Sequence, residues 1–307
     1  MPPLSIREVR TLTEAADLWR MFSPNEYLWD DWTFRSLFHG TYDEPGEPIF
    51  IVGSIGGEDV ALLALQHTEE DGCIEFFGGD YMEDNLIFFK PGCEAHVETM
   101  FRHATSLGVP LRLLAIRGTD PYTKDLPLLD HKYVYRLEGM KTVDDILAKH
   151  FSLKTQSTFR RKIKRLEADG LTVRDGTMPE LDLLYEFNIQ AFGNDSSFTW
   201  PRRQRVFREL LASSLETRLM TFMMADKIVA VSLGIKCGKT YVYLNSGTDR
   251  AIDNLGTYVV LQHIKEALRS GATLFDTELG GYTWKERWHL DPVPQYQFLH
   301  GSPTKPR

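Results

Sequence analysis

Asp276 and Glu278 are carboxylates one residue apart, and two cations, Lys285 and Arg287, follow at the same spacing. Gly280 and Gly281 separate the acids from the bases, and Trp284 and Trp288 flank the cations. Two positions apart on an extended strand, side chains point to one face. Carboxylates held that close raise one another's pKa. A carboxylate so raised is a base able to take a proton from an ammonium, which an amine must lose before or as it attacks a carbonyl. Asp276 is equally suited to capping the glycine turn. Lys285 and Arg287 either bind an anionic acceptor or close ion pairs inside the segment. The two tryptophans are either core or a stacking platform.

Those residues need elements to hold them. Leu274–Phe275 reads as a short strand ending at Asp276, followed by the turn, a packed charged segment and a last strand over Gln295–Leu299. Upstream, Tyr243, Leu244, Asn245 and Ser246 lie in the strand-like run TYVYLNSG, and free backbone N–H groups on such a strand would polarise a bound carbonyl. Leu255, Gly256 and Thr257 lead directly into the apolar-periodic run YVVLQHIKEAL. A glycine entering a helix is either a plain turn or a place where N–H groups and the helix dipole meet a phosphate. A basic helix is predicted over Ser157–Ala168, with Arg160, Arg161, Lys162, Lys164 and Arg165 around an apolar stripe of Phe159, Ile163 and Leu166. It is either a solvated face or, through Arg161 and Lys164, an anion site for cofactor phosphates or a polyanionic substrate.

The chain has 307 residues and a net charge of −8. That length suits two domains of about 150 residues each. The acidic balance argues against nonspecific binding to DNA or anionic membranes. Cys73, Cys93 and Cys237 form neither a disulfide framework nor a metal-binding spacing, and no run approaches a transmembrane length. A cytoplasmic protein without signal peptide or membrane span is therefore expected, with no metal. Both halves follow one plan: helices, an antiparallel meander, a helix and a strand. The meanders run over PIFIVGSIGG…IEFFG and RLMTFMMADK…YVYLNSG. TYDEPGEP reads as a solvent loop, and Pro121 and Pro127 mark a linker. The domains expected are 1–135 and 136–307, and the class is α+β: a duplicated fold with two mixed or antiparallel sheets flanked by helices. Neither half has GxGxxG after a parallel strand, which excludes a dinucleotide-binding fold.

STFRRKIKRLEADG, then YVYLNSGTDRAIDNLGTYVVLQHIKEAL, then FDTELGGYTWKERW, with FFGGDYMEDNLIFF in the first half, together resemble one family. It is the tandem branch of the GNAT acyltransferases that groups the CelD-like proteins with the Fem aminoacyltransferases. The resemblance runs along nearly the whole chain and is most specific over 155–290. Trp284 stands where the family often has tyrosine, and Glu278 where it often has a small residue. The resemblance implies acyl transfer from acetyl-CoA or another acyl-CoA, as co-substrate and not as a tightly bound cofactor, to an amine by direct attack. In that site Tyr243–Ser246 would hold the thioester, Leu255–Thr257 the pyrophosphate, and Asp276, Glu278 and Lys285 would serve catalysis. Arg161, Lys164, Trp284, Arg287, Asp80 and Tyr81 would contact an acceptor on a small molecule, peptide or polysaccharide. Relatives that use aminoacyl-tRNA supply a second reading, although no helical hairpin is inserted in the second half. A non-catalytic binding protein on the same scaffold is a third, since the loop before Tyr258 is poor in glycine. The chain is expected as a monomer or homodimer.

Overall fold

Ile49–Val52 and Ala61–Leu65 are apolar at consecutive positions, the pattern of strands buried on both faces. The computed structural model, which describes residues 3–40, 46–68, 72–118 and 122–301, shows where each face goes. Phe50, Val52, Leu62 and Ala64 pack with Trp19 and Leu18 on one side. Ile49, Ile51, Leu63 and Leu65 pack with Met100 and Ala104 on the other. Alternate residues thus meet different helices, as the two-residue period of a strand requires. The solvent loop read over Thr41–Pro48 lies mostly, and Pro121 wholly, outside the described residues.

The chain forms two compact units, residues 1–25, 29–132 and 292–307, and residues 26–28 and 133–291. In the first, β1 (Ser5–Val9), α1 (Leu12–Phe22), α2 (Trp32–Gly40), β2 (Pro48–Ile55), β3 (Glu58–Thr68), β4 (Cys73–Phe76), β5 (Phe88–Phe89), α3 (Val97–Ser106) and β6 (Leu111–Arg117) follow in order. The strands pair in the order β1-β2-β3-β4-β6, with β5 on β3. Trp29 and Phe34 are buried in this unit. The chain then runs along β7 (Leu128–Arg136) into the second unit.

There it forms α4 (Val143–His150), α5 (Leu153–Ala168), β8 (Leu171–Asp175), α6 (Leu181–Phe192), α7 (Pro201–Ala212), β9 (Glu216–Met224), β10 (Lys227–Cys237), β11 (Thr240–Thr248), α8 (Leu255–Arg269), β12 (Leu274–Leu279) and α9 (Thr283–Arg287). Caps fix the helix starts: Thr142 and Asp145 make a capping box on α4, Ser152 caps α5, and Pro201 opens α7. Its strands pair in the order β7-β12-β11-β10-β9-β8. The final strand, β13 (Asp291–His300), departs from the predicted 136–307 boundary. It pairs antiparallel with β6, from Gln295 opposite Arg117 to His300 opposite Leu111, and so belongs to the first unit. Its apolar side explains the placement: Phe298 stacks on Phe101 with ring centroids 4.4 Å apart.

Among the described residues, no helix is long and apolar enough to cross a membrane. The second unit is closely fitted where α6 crosses the end of β11. A Cβ on Gly247 would lie 2.5 Å from the Leu184 carbonyl oxygen and 2.7 Å from Phe187 Cβ. Backbone on the helix side cannot yield as a flexible side chain would. Gly247→Ala is therefore expected to cost about 2 kcal/mol, the scale of overpacking a core. A lowered urea midpoint with unchanged slope would show it.

Candidate active site

β11 and β12 run parallel for only three residue pairs, Thr240–Leu274, Tyr241–Phe275 and Val242–Asp276. Beyond Val242 the two strands separate, and two local features account for it. On β11, Leu233 of β10 lies opposite Asn245 but Gly234 lies opposite Tyr243, so Leu244 is an extra residue. Such a bulge bends and twists its strand. On β12, Glu278 has φ 65, a kink within the strand, and Gly280, just past its end, has φ 95. The edge of Tyr243–Ser246 facing β12 thus has no register partner on it.

The turn at Glu278 changes what the acid pair does. A side chain at positive φ is uncommon outside glycine and asparagine, and strain of this kind costs about 1–3 kcal/mol. The strand is not extended at Glu278, so the alternation that would put Asp276 and Glu278 on one face is broken there. Instead Asp276 Oδ1 accepts the Glu278 backbone N–H at 2.9 Å. Asp276 is buried, with its carboxylate on the backbone of the kink at Glu278. Lys285 is also buried, and its Nζ donates to the carbonyls of Glu278 at 2.8 Å and Leu279 at 2.7 Å. Its ammonium lies 5.4 Å from the Tyr133 ring centroid, 5.3 Å from that of Tyr282 and 5.9 Å from that of Trp284. At such distances ring faces attract a cation. Lys285 thus holds the turn that carries Glu278.

Tyr243, Ser246, Glu278 and Trp284 come together at the separation. Tyr243 donates its hydroxyl to Ser246 Oγ at 2.7 Å and meets the Trp284 ring edge-on, with centroids 6.0 Å apart. Burial, opposed by hydrogen bonds to Ser246 and Ser232 and aided by the Glu278 charge, pushes the Tyr243 phenol up to about 12. It therefore keeps its proton at neutral pH. Behind it, Tyr241 bonds to His263 Nδ1 at 2.8 Å, His263 Nε2 to Ser232 Oγ at 2.7 Å, and Ser232 Oγ donates to the Asn245 carbonyl at 3.0 Å. With the serine proton given to that carbonyl, His263 Nε2 must donate and Nδ1 must accept, which is the neutral tautomer. On the α6 side, Asn188 Nδ2 donates to Asn245 Oδ1 at 3.1 Å and to the Ser246 carbonyl at 3.2 Å. Both sides of the bulge are thus fixed by polar groups.

His263 is fully buried, and burial followed by the Arg218 charge lowers it from 6.5 to about 3. Protonation is then favoured in the unfolded chain and resisted in the folded one. Stability from this group is present above its unfolded pKa and is lost as pH falls below 6.5 towards 3. Between pH 7 and pH 5 the loss is about 2 kcal/mol, at about 1.4 kcal/mol per pH unit. Urea unfolding at the two pH values should show that dependence in the native chain and a reduced one in His263→Gln.

The start of α8 lies next along the chain. Asn254, the cap residue, is left-handed with φ 65, while Leu255 and Tyr258 are buried and anchor the first turn. Gly256 is exposed, and a Cβ placed there would meet nothing within 4 Å. The first turn is therefore open around the Gly256 Cα. Arg161 and Lys164 are exposed on α5, and Lys164 lines a groove with α4 and α8. Arg287 is exposed and turns back on Thr283, while Trp288 is core, edge-on to Phe151 and Phe159. Asp80 and Tyr81 belong to the first unit, where Tyr81 stacks on Phe38 at 4.8 Å. Asn188, Ser232 and Tyr241 carried no signal in the sequence. His263 offered only a histidine on an otherwise apolar helix face.

Residues 154–286 match the family model described as an acetyltransferase (GNAT) domain. No curated protein matches the sequence. Several solved structures share the fold along nearly the whole chain. FemX is 13% identical with a TM-score of 0.61, covering 95% of this chain and 96% of its own. A tandem GNAT protein from the clavulanic acid biosynthesis pathway is 11% identical at 0.57, covering 97% and 98%. L-PGS from Bacillus licheniformis is 11% identical at 0.58, covering 94% and 91%. The class this defines is an α+β acyltransferase with helices flanking mixed sheet. Over residues 154–286 the chain is similar to the GNAT acetyltransferase domain, and its fold is that of the tandem and Fem-type structures.

Proposed function

We propose that the second unit transfers an acyl group from acyl-CoA to an amine. The observation that carries this is the separation of β11 from β12 after Val242–Asp276, bordered by the Leu244 bulge and Glu278, within the stretch matching the GNAT domain. The thioester would lie along Tyr243–Ser246, with its carbonyl oxygen facing backbone N–H groups on the unpaired edge. Its pyrophosphate would meet the N–H groups of Gly256 and Thr257. The acceptor amine attacks the thioester carbon, forming the C–N bond while the C–S bond breaks. Glu278 takes the proton released from nitrogen, and the un-ionised Tyr243 hydroxyl supplies one to the departing thiolate. Asp276 and Lys285 act through position, by fixing the turn under Glu278. Trp284 would border the acceptor, which we place among small molecules, peptides or polysaccharides carrying an amine.

Calorimetry with acetyl-CoA, followed by thiol release with a panel of amines, tests the proposal. Saturable binding that Gly256→Asp weakens, together with amine-dependent thiol release, is expected. No binding at millimolar acetyl-CoA would sink it. Transfer from aminoacyl-tRNA under the same conditions would identify the other donor.

A further inference from the structure

Away from β11 and β12, the second unit has a groove of about 540 Å³ between α4, α5 and the C-terminal half of α8. Its floor is apolar: Val143, Leu147, Phe159, Ile163, Leu261 and Leu268. Leu147, Ile163 and Leu261 are buried in the unit's core, while Val143, Phe159 and Leu268 are half-buried and packed against it. The rim carries five cations, Lys141, Arg160, Lys164, Lys265 and Arg269, against two carboxylates, Asp144 and Glu167. Both carboxylates are engaged: Asp144 with Arg160 at 2.9 Å, and Glu167 with the Tyr258 hydroxyl. Arg269 is held by Glu266 at 2.9 Å. Lys141, Lys164 and Lys265 have no ion-pair partner among the described residues. In a chain of net charge −8, five cations against two carboxylates around an apolar floor form a local field of opposite sign.

Helix spacing places charge directly beside apolar surface. Ile163 and Lys164 on α5 are one turn from Phe159 and Arg160, and Lys265 on α8 lies between Leu261 and Leu268 at four and three residues. A solvated basic face would expose its cations without a cavity of ligand size beneath them. The volume is within the range of small-molecule sites, which pair an apolar lining with a few placed polar groups.

We propose that this groove binds a small amphipathic organic anion. Its apolar chain or ring would lie on Phe159, Ile163, Leu261 and Leu268, and its carboxylate, phosphate or sulfonate would lie between Lys164 and Lys265. The site is independent of the acyl-transfer proposal. The two share only α8, whose first turn and groove-lining half are separated by about 13 Å along the axis, from Gly256 to Lys265 at 1.5 Å per residue.

8-Anilinonaphthalene-1-sulfonate, an aromatic anion whose fluorescence rises in apolar surroundings, tests this by titration against the intact chain. One saturable site is expected, displaced by decyl phosphate below its micelle concentration and not by decyltrimethylammonium. Lys164→Glu with Lys265→Glu should weaken it at least tenfold. Lys162→Glu with Arg165→Glu, which alters α5 outside the groove, should leave it unchanged. All four side chains are exposed, and melting curves of both double variants should overlay the parent's. Absence of saturation, equal displacement by the cation, or equal weakening by the two pairs would each overturn the proposal. Equal loss of polyadenylate RNA binding in both pairs, without any effect on the dye, would assign the lysines to a polyanion and overturn it as well.

Discussion

Glu278→Gln is expected to lower kcat by about 10²–10³ while acetyl-CoA affinity stays within twofold. General-base contributions fall on that scale. The substitution keeps shape and hydrogen-bonding length but removes the group that accepts the amine's proton. Glu278 is the candidate because its charge acts on the Tyr243 hydroxyl, placing it at the strand separation. Its backbone is fixed by the Asp276 carboxylate below and by Lys285 on its carbonyl. Asp276→Asn is the comparison that separates base from support. The amide oxygen can still accept the Glu278 N–H, so a fall in kcat much smaller than that of Glu278→Gln is expected. Should Glu278→Gln keep a third or more of kcat with an unprotonated amine at high pH and at neutral pH alike, Glu278 is not the base. If both variants lose acetyl-CoA binding equally, the turn has been damaged and the comparison reports structure.

The fold class was legible because its signals are local. The apolar runs of β2 and β3 and the glycine entering α8 are written within a few residues each, whereas α5 begins at Leu153 behind its Ser152 cap, four residues before the predicted Ser157. What stayed hidden depends on backbone conformation or on partners far along the chain. Nothing in FDTELGG states that Glu278 takes a positive φ, and the face assignment of the acid pair fails on that one angle. The role of Lys285 likewise depends on Tyr133, 152 positions earlier, and on carbonyls whose direction follows from the same turn. His263 resembles any core histidine until Tyr241 and Ser232 close on its two nitrogens. The last strand follows the second unit in sequence, and only its pairing with β6 reveals that it completes the first. Composition was a weak guide in a different way: the net charge of −8 conceals the lysine-rimmed groove, because acids elsewhere outnumber the cations gathered on α5 and α8.

Lys285→Met should be the most destabilising substitution in the site, by about 2–4 kcal/mol. The side chain is 2% exposed, so methionine fills nearly the same space and the apolar stem is conserved. What disappears is the pair of donors to the Glu278 and Leu279 carbonyls and the charge among three aromatic rings. Leaving acceptors without their donor costs about 1–3 kcal/mol each. The gain from no longer desolvating an ammonium offsets part of that. The conformation at Glu278 then loses the contact that offsets its strain, so the turn relaxes and kcat falls with stability. Lys285→Arg is expected to rescue neither, since a planar guanidinium is wider than the space an ammonium fills and its donors form a fixed fork. Two measurements decide the matter, urea unfolding and kcat at saturating donor. Loss of kcat with stability unchanged would make Lys285 a participant in the chemistry. Loss of both, together with full activity for Arg287→Ala, whose side chain only turns back on Thr283, would establish it as the post on which the base is mounted.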